Sequence, residues 1–122
     1  MRDYKNIKAY QLAESLVIEI YKITKKLPKE ELYGLTSQIR RAAVSVSANI
    51  AEGASRRHKR DYLQFLYIAR GSLAEVECLI RLANKLEYLS DNDFKNIGEL
   101  RNEVAKTLYG LITAVEAETK GL

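Results

Sequence analysis

The chain reads as an all-α protein, an up-down-up-down antiparallel four-helix bundle occupying residues 1–122 as one domain. Three observations predict this. Apolar residues recur at spacings of three and four, the period of a helix buried on one side. No stretch alternates apolar and polar residues as a half-buried strand does, and low-complexity segments and repeats are absent. The periodic segments are long and their links short, which favours antiparallel neighbours.

The first helix runs from about Ile7 to Lys26 on Ala13, Leu16, Val17, Ile20 and Thr24, with Leu27 following. Pro28 stops it, because proline disfavours helical geometry in the residue before it. A short polar link leads to the second helix, from about Thr36 to Ala54, which has two apolar sides. At about 100° per residue, Ile39, Ala43, Val46 and Ile50 fall within about 60° of one another, and Val44, Ala48 and Ala51 fall nearly opposite. A surface helix needs one such stripe. Two imply one face against its own bundle and another against something else, most simply a second copy of the chain.

The third helix spans about Lys59 to Leu89, with a core stripe of Tyr62, Leu66, Ala69, Leu73, Val76, Ile80 and Ala83. Ile68, Ser72, Leu79, Leu82 and Leu86 widen the buried face. Gly71 sits mid-helix, where it costs roughly 1 kcal/mol relative to alanine, so close approach of another helix is expected there. Ser90 and Asp93 form a capping box for the fourth helix, Asp91 to Thr119, whose stripe is Phe94, Ile97, Val104, Leu108, Leu111 and Val115.

Composition excludes much chemistry. With 47% hydrophobic residues the chain is not disordered, and no apolar run approaches the roughly 18 residues of a membrane span. The N-terminus carries no signal-peptide pattern and the single cysteine, Cys78, has no internal disulfide partner, so a cytoplasmic protein without membrane association is expected. The one histidine, His58, removes most metal and triad options, and twenty helical residues set it about 30 Å from Cys78. Phosphate-cradling glycine motifs and paired Glu-x-x-His motifs are absent. No catalytic residue, metal or cofactor is therefore expected, and Cys78 reads as a packed thiol.

The charges are unevenly divided. Residues 1–60 carry 13 Lys and Arg against 6 Asp and Glu, and residues 61–122 carry 7 against 10. Arg56, Arg57, His58, Lys59 and Arg60 cluster at the corner between the second and third helices, at the bundle end that also holds Arg2, Lys5, Lys8 and Lys120. Such an end binds phosphates in a salt-dependent manner, or is a solvated corner partly neutralised by Asp3, Asp61 and Glu118. Asn49 lies beside Ile50 and Val46 and should be hydrogen-bonded. Arg41, Glu52 and Glu75 flank apolar seams, where arginine–carboxylate pairs would fix register within the bundle or between subunits. The eight tyrosines, Tyr21, Tyr62 and Tyr67 among them, read as packing residues.

Tyr33-Gly34-Leu35, Gln38-Ile39-Arg40-Arg41-Ala42 and Asn49-Ile50-Ala51-Glu52-Gly53 with Arg56 resemble the four-helix-bundle family encoded by intervening sequences in bacterial 23S ribosomal RNA genes. Ala69-Arg70-Gly71-Ser72-Leu73 with Glu75 continues the likeness, while Val46-Ser47 departs from the more usual Ile-Pro. The resemblance implies a left-turning bundle that assembles as a ring-like homopentamer. The accessory variability determinant protein of diversity-generating retroelements, a basic pentamer that binds nucleic acid and a reverse transcriptase, looks like a relative.

The expected function is a non-enzymatic homo-oligomer that binds nucleic acid, structured RNA or else DNA, with Arg56, Arg57, Lys59 and Arg60 on phosphates and Arg2, Lys5 and Lys8 adding to the field. Arg41, Val44, Ala48, Asn49, Ala51, Glu52 and Glu75 are the expected subunit interface. The alternative is a scaffold that docks another protein and has no direct nucleic-acid role. An enzyme with a cleft at subunit junctions ranks below both.

Overall fold

Each helix has one stripe that water must leave, and four such stripes facing inward make the fold. The computed structural model describes residues 2–120, so residues 1 and 121–122 of the expected domain lie outside the described residues. Its elements are α1 (Lys8–Thr24), α2 (Leu35–Ala54), α3 (Lys59–Lys85) and α4 (Asp91–Thr119), with 3-10 turns at Tyr4–Asn6 and Lys29–Glu31. Contacts run α1 to α2, α2 to α3, α3 to α4 and α4 back to α1, the pattern of a four-helix bundle. Leu16, Ile20, Ile39, Ile50, Leu66, Leu73, Ile80 and Leu108 are fully buried between them. Burying each such side chain is worth about 1.5–3 kcal/mol.

The ends of the helices are set by side chains. Glu31 accepts from the Leu35 N–H at 3.1 Å through one carboxylate oxygen, which caps α2, and from the Tyr88 hydroxyl at 3.3 Å through the other. Ser90 caps α4, its hydroxyl accepting from the Asp93 N–H at 3.1 Å. The reciprocal half of the expected capping box is not made. The Asp93 carboxylate binds Lys26 Nζ at 2.6 Å instead and ties the start of α4 to the segment after α1.

Helix α3 stops at Lys85, short of the expected Leu89. Glu87 takes the left-handed conformation (φ 66°). Around it the Tyr88 N–H donates to the Ala83 carbonyl and the Glu87 N–H to that of Asn84, both at 2.9 Å. That pair of bonds is a Schellman motif, with glutamate where glycine is usual.

Five further expectations are corrected. Ile68, Leu82 and Leu86 do not widen the core: they are 51%, 46% and 47% exposed, and only Leu79 of that flank is buried. Gly71 has no compensating helix within the chain, since a Cβ there would meet nothing within 4 Å. The close approach is at Gly53, where a Cβ would stand 2.8 Å from Phe65 Cβ and 2.9 Å from Tyr62 Cδ1. Cys78 is exposed, not packed. Tyr33 and Tyr109 are surface residues, at 94% and 70% exposure, whereas Tyr62 is buried. In α4 the inward position is Ile112, and Leu111 beside it is only partly buried.

Candidate functional site

The N-terminal segment, the end of α2, the start of α3 and the end of α4 meet at one end of the bundle, because alternate helices run in opposite directions. The chain leaves α2 without a glycine cap, and the α2–α3 corner consists of Ser55 to His58. The Ser55 N–H is shared among the Ala51, Glu52 and Gly53 carbonyls, and the Arg56 N–H donates to Gly53 at 3.0 Å. Later carbonyls need other donors. Arg2 supplies them, with Nη1 donating to the Arg56 carbonyl at 2.8 Å and to the Ala54 carbonyl at 3.4 Å. Its guanidinium also lies 4.4 Å from the centre of the Tyr62 ring. A cation at a helix C-terminus is favoured by the helix dipole as well.

Arg56 is engaged too. Its guanidinium donates to Glu52 at 2.8 Å, one helical turn back, and sits 4.6 Å over the Phe65 ring. Lys59 reaches the Glu118 carboxylate of α4 at 3.3 Å. Arg57, His58, Lys59 and Arg60 are all exposed and, with Asp61, line a shallow depression at the start of α3. A second depression beside it is lined by Arg2, Ser55, Arg56 and Arg57. Arg57 makes no ion pair with any described residue. Lys5 on the N-terminal segment and Lys8 at the start of α1 are exposed, and Lys120 follows α4 at the same end. The expected cations are therefore gathered, and they divide into braces and projecting groups. Arg2 and Arg56 hold the corner while Arg57 projects from it.

Arginine over an aromatic ring recurs elsewhere. Arg40 lies 4.7 Å from the Tyr21 ring centre while its Nε donates to the buried Thr24 hydroxyl at 2.9 Å, and Arg70 lies 4.9 Å from Tyr67. Tyr67 donates to Glu116 at 2.6 Å, joining α3 to α4. That bond, backed by desolvation, raises the Tyr67 pKa, and burial does the same for Tyr62 against the opposing charge of Arg2. Neither Arg2–Tyr62 nor Arg56–Phe65 had a local signal in the sequence. The i,i+4 spacing of Glu52 and Arg56 did.

The outward side of α2 carries the second stripe. Val44 is 39% exposed, Ala48 exposed and Ala51 half-buried, so a single chain leaves this face uncovered. Asn49 is bonded as expected: its amide donates to the Ser45 carbonyl at 2.8 Å and to the Ser45 hydroxyl at 3.0 Å. The Ser45 hydroxyl in turn meets that of Ser72 on α3 at 2.7 Å. Glu52 pairs with Arg56. Arg41 and Glu75 line one depression with Gln38, Ala42 and Ser45, yet form no ion pair among the described residues, contrary to a pairing within the bundle. His/Cys/Asp/Glu groupings suited to a metal ion are absent among the described residues, and no described helix is long and apolar enough to cross a membrane.

Over residues 5–110, from the N-terminal turn into α4, the chain matches the family described as 23S rRNA-intervening sequence protein. It is also similar to the crystal structure, at 1.70 Å resolution, of a protein with unknown function from the S23 ribosomal protein family of Bacteroides thetaiotaomicron VPI-5482. The TM-score is 0.79 at 24% identity, covering 85% of this chain and 97% of that one. This likeness speaks for the fold. None of the curated proteins matches.

Proposed function

The chain belongs to the 23S rRNA-intervening sequence protein family, and from that premise we propose that it is a cytoplasmic, non-enzymatic homo-oligomer that binds structured RNA through the basic end of each subunit. One observation carries the reading: Arg57, Lys59 and Arg60 stand exposed on a corner that Arg2 and Arg56 brace from beneath. Exposed cations on a braced corner suit the phosphate backbone, whose neutralisation releases counterions and makes affinity fall as salt rises.

Assembly is supported by two separate apolar patches. Val44 and Ala48 lie on the outer side of α2, and Ile68, Leu82 and Leu86 on the flank of α3. Unlike patches on one subunit suit a head-to-tail contact, which closes into a ring where the rotation permits. A pentamer is the ring implied by the sequence resemblance, and it would place several basic corners on one RNA, raising their effective concentration. The same α3 flank favours a second reading, a scaffold for a protein partner, in which case a partner would remain bound after nuclease treatment.

The test combines mass and salt. Light scattering reports the assembly, and binding of a folded RNA hairpin is followed from low to high salt. Replacing Arg57, Lys59 and Arg60 by glutamine should leave the helices intact and lower the slope of log affinity against log salt by about 2–3. An unchanged slope in that variant removes the corner from consideration.

A further inference from the structure

We infer that Arg2 is a positioning residue for the basic corner, acting on the RNA through the placement of Arg57 and not by touching phosphate itself. This rests on the RNA-binding reading and deepens it. Arg2 lies more than fifty positions from the corner in sequence, yet its guanidinium engages three groups there. It donates to the Arg56 carbonyl at 2.8 Å and to the Ala54 carbonyl at 3.4 Å, and it covers the ring of buried Tyr62 at 4.4 Å. The guanidinium therefore joins the last carbonyl of α2 and the corner carbonyl of Arg56 to the first turn of α3, on either side of Arg57.

The chemistry of the corner requires such a donor. Helix α2 ends without a left-handed glycine, so its final carbonyls are not turned back into a Schellman arrangement and depend on an outside group. Arg56 cannot serve, because its guanidinium is folded the other way, onto Glu52 and the Phe65 ring. The N-cap of α3, His58, makes no side-chain cap bond either. Without Arg2, the Ala54 and Arg56 carbonyls would lose the side-chain donor that ties them to the N-terminal segment, leaving the turn held only by the local Ser55 and Arg56 N–H bonds into α2. Both carbonyls are met by the one nitrogen Nη1 while the guanidinium lies over the Tyr62 ring, and a lysine ammonium, a compact charge without that planar group, cannot occupy both places at once.

That difference supplies the test, because Arg2→Lys preserves the charge and removes the guanidinium that joins the carbonyls to the Tyr62 ring. Three measurements are made on wild type, Arg2→Lys and Arg2→Ala, with the Arg57, Lys59, Arg60 glutamine variant as reference. In the free protein, amide hydrogen exchange at Ser55 and Arg56, whose N–H groups bond back to Ala51, Glu52 and Gly53 across the turn that Arg2 holds, should quicken about tenfold in both Arg2 variants, the factor for a turn weakened by one lost hydrogen bond. Affinity for the folded RNA hairpin should fall about fivefold in both, within the range of a single lost structural contact. In an Arg57→Ala background, Arg2→Lys should cost almost nothing further, because coupled residues are not additive.

A phosphate contact behaves otherwise: Arg2→Lys would bind like wild type, and Arg2→Ala would add its full loss to that of Arg57→Ala. Either result overturns the inference, as does unchanged exchange at Ser55 and Arg56. Failure of the underlying reading shows separately, in an unchanged salt slope for the glutamine variant, and it takes the inference with it.

Discussion

Gly53→Ala tests how tightly α2 and α3 are joined beside the basic corner. An added Cβ would stand 2.8 Å from Phe65 Cβ, 2.9 Å from Tyr62 Cδ1 and 3.1 Å from the Tyr62 carbonyl oxygen. Two of these atoms belong to the backbone frame of α3, and the Tyr62 ring is buried beneath Arg2, so none can swing aside. The helices must separate. Overpacking of this kind costs roughly 1–3 kcal/mol, and the helix propensity of alanine returns at most about 1 kcal/mol. The net expectation is a loss of about 1–2 kcal/mol, which for a chain of this length lowers Tm by roughly 3–10 °C. Gly110→Ala is the control, because a Cβ there meets nothing within 4 Å and should raise Tm by about 3–5 °C. Thermal melts followed by circular dichroism decide it. A Gly53→Ala protein as stable as wild type would refute the close helix approach on which the corner geometry is built. Gly71 is as open as Gly110 within one chain. A stabilising Gly110→Ala beside a destabilising Gly71→Ala would therefore mark a helix of another subunit lying over Gly71.

Two further outcomes follow from local geometry. Glu87→Gly should stabilise the chain by about 0.5–1 kcal/mol, because glycine adopts the left-handed conformation without the Cβ penalty that glutamate bears at φ 66°; an urea midpoint unchanged or lowered counts against strain at this turn. The second concerns alkali. Tyr67 and Tyr62 have raised pKa values, so the folded chain holds those protons more firmly than the unfolded chain does. Their contribution is complete below the usual tyrosine value of about 10 and is lost as pH climbs through the folded-state values. Urea midpoints should fall above about pH 10, and Tyr67→Phe should flatten that fall. Parallel curves for wild type and Tyr67→Phe would contradict the role given to the Glu116 bond.

Helix number, order and inward stripes were legible because a helix repeats every few residues and burial selects one side of it. Ile39, Ala43, Val46 and Ile50 needed no tertiary information, nor did the cap at Ser90, whereas α1 ends at Thr24, short of the expected Lys26 and of Pro28. The gathering of Arg57, Lys59 and Arg60 at one corner was equally visible, since they are neighbours in the chain.

Only the tertiary structure decided what depends on a second element. Leu79 and Ile68 occupy adjacent angles on α3, yet one is buried and the other half exposed, because periodicity does not reveal where the neighbouring helix ends. Gly53 and Gly71 are alike in sequence and opposite in surroundings. Arg2 offered a charge and became a brace, through carbonyls more than fifty residues away. Local patterns carry the angle at which a side chain leaves its helix; what it meets there is fixed by the packing of distant segments.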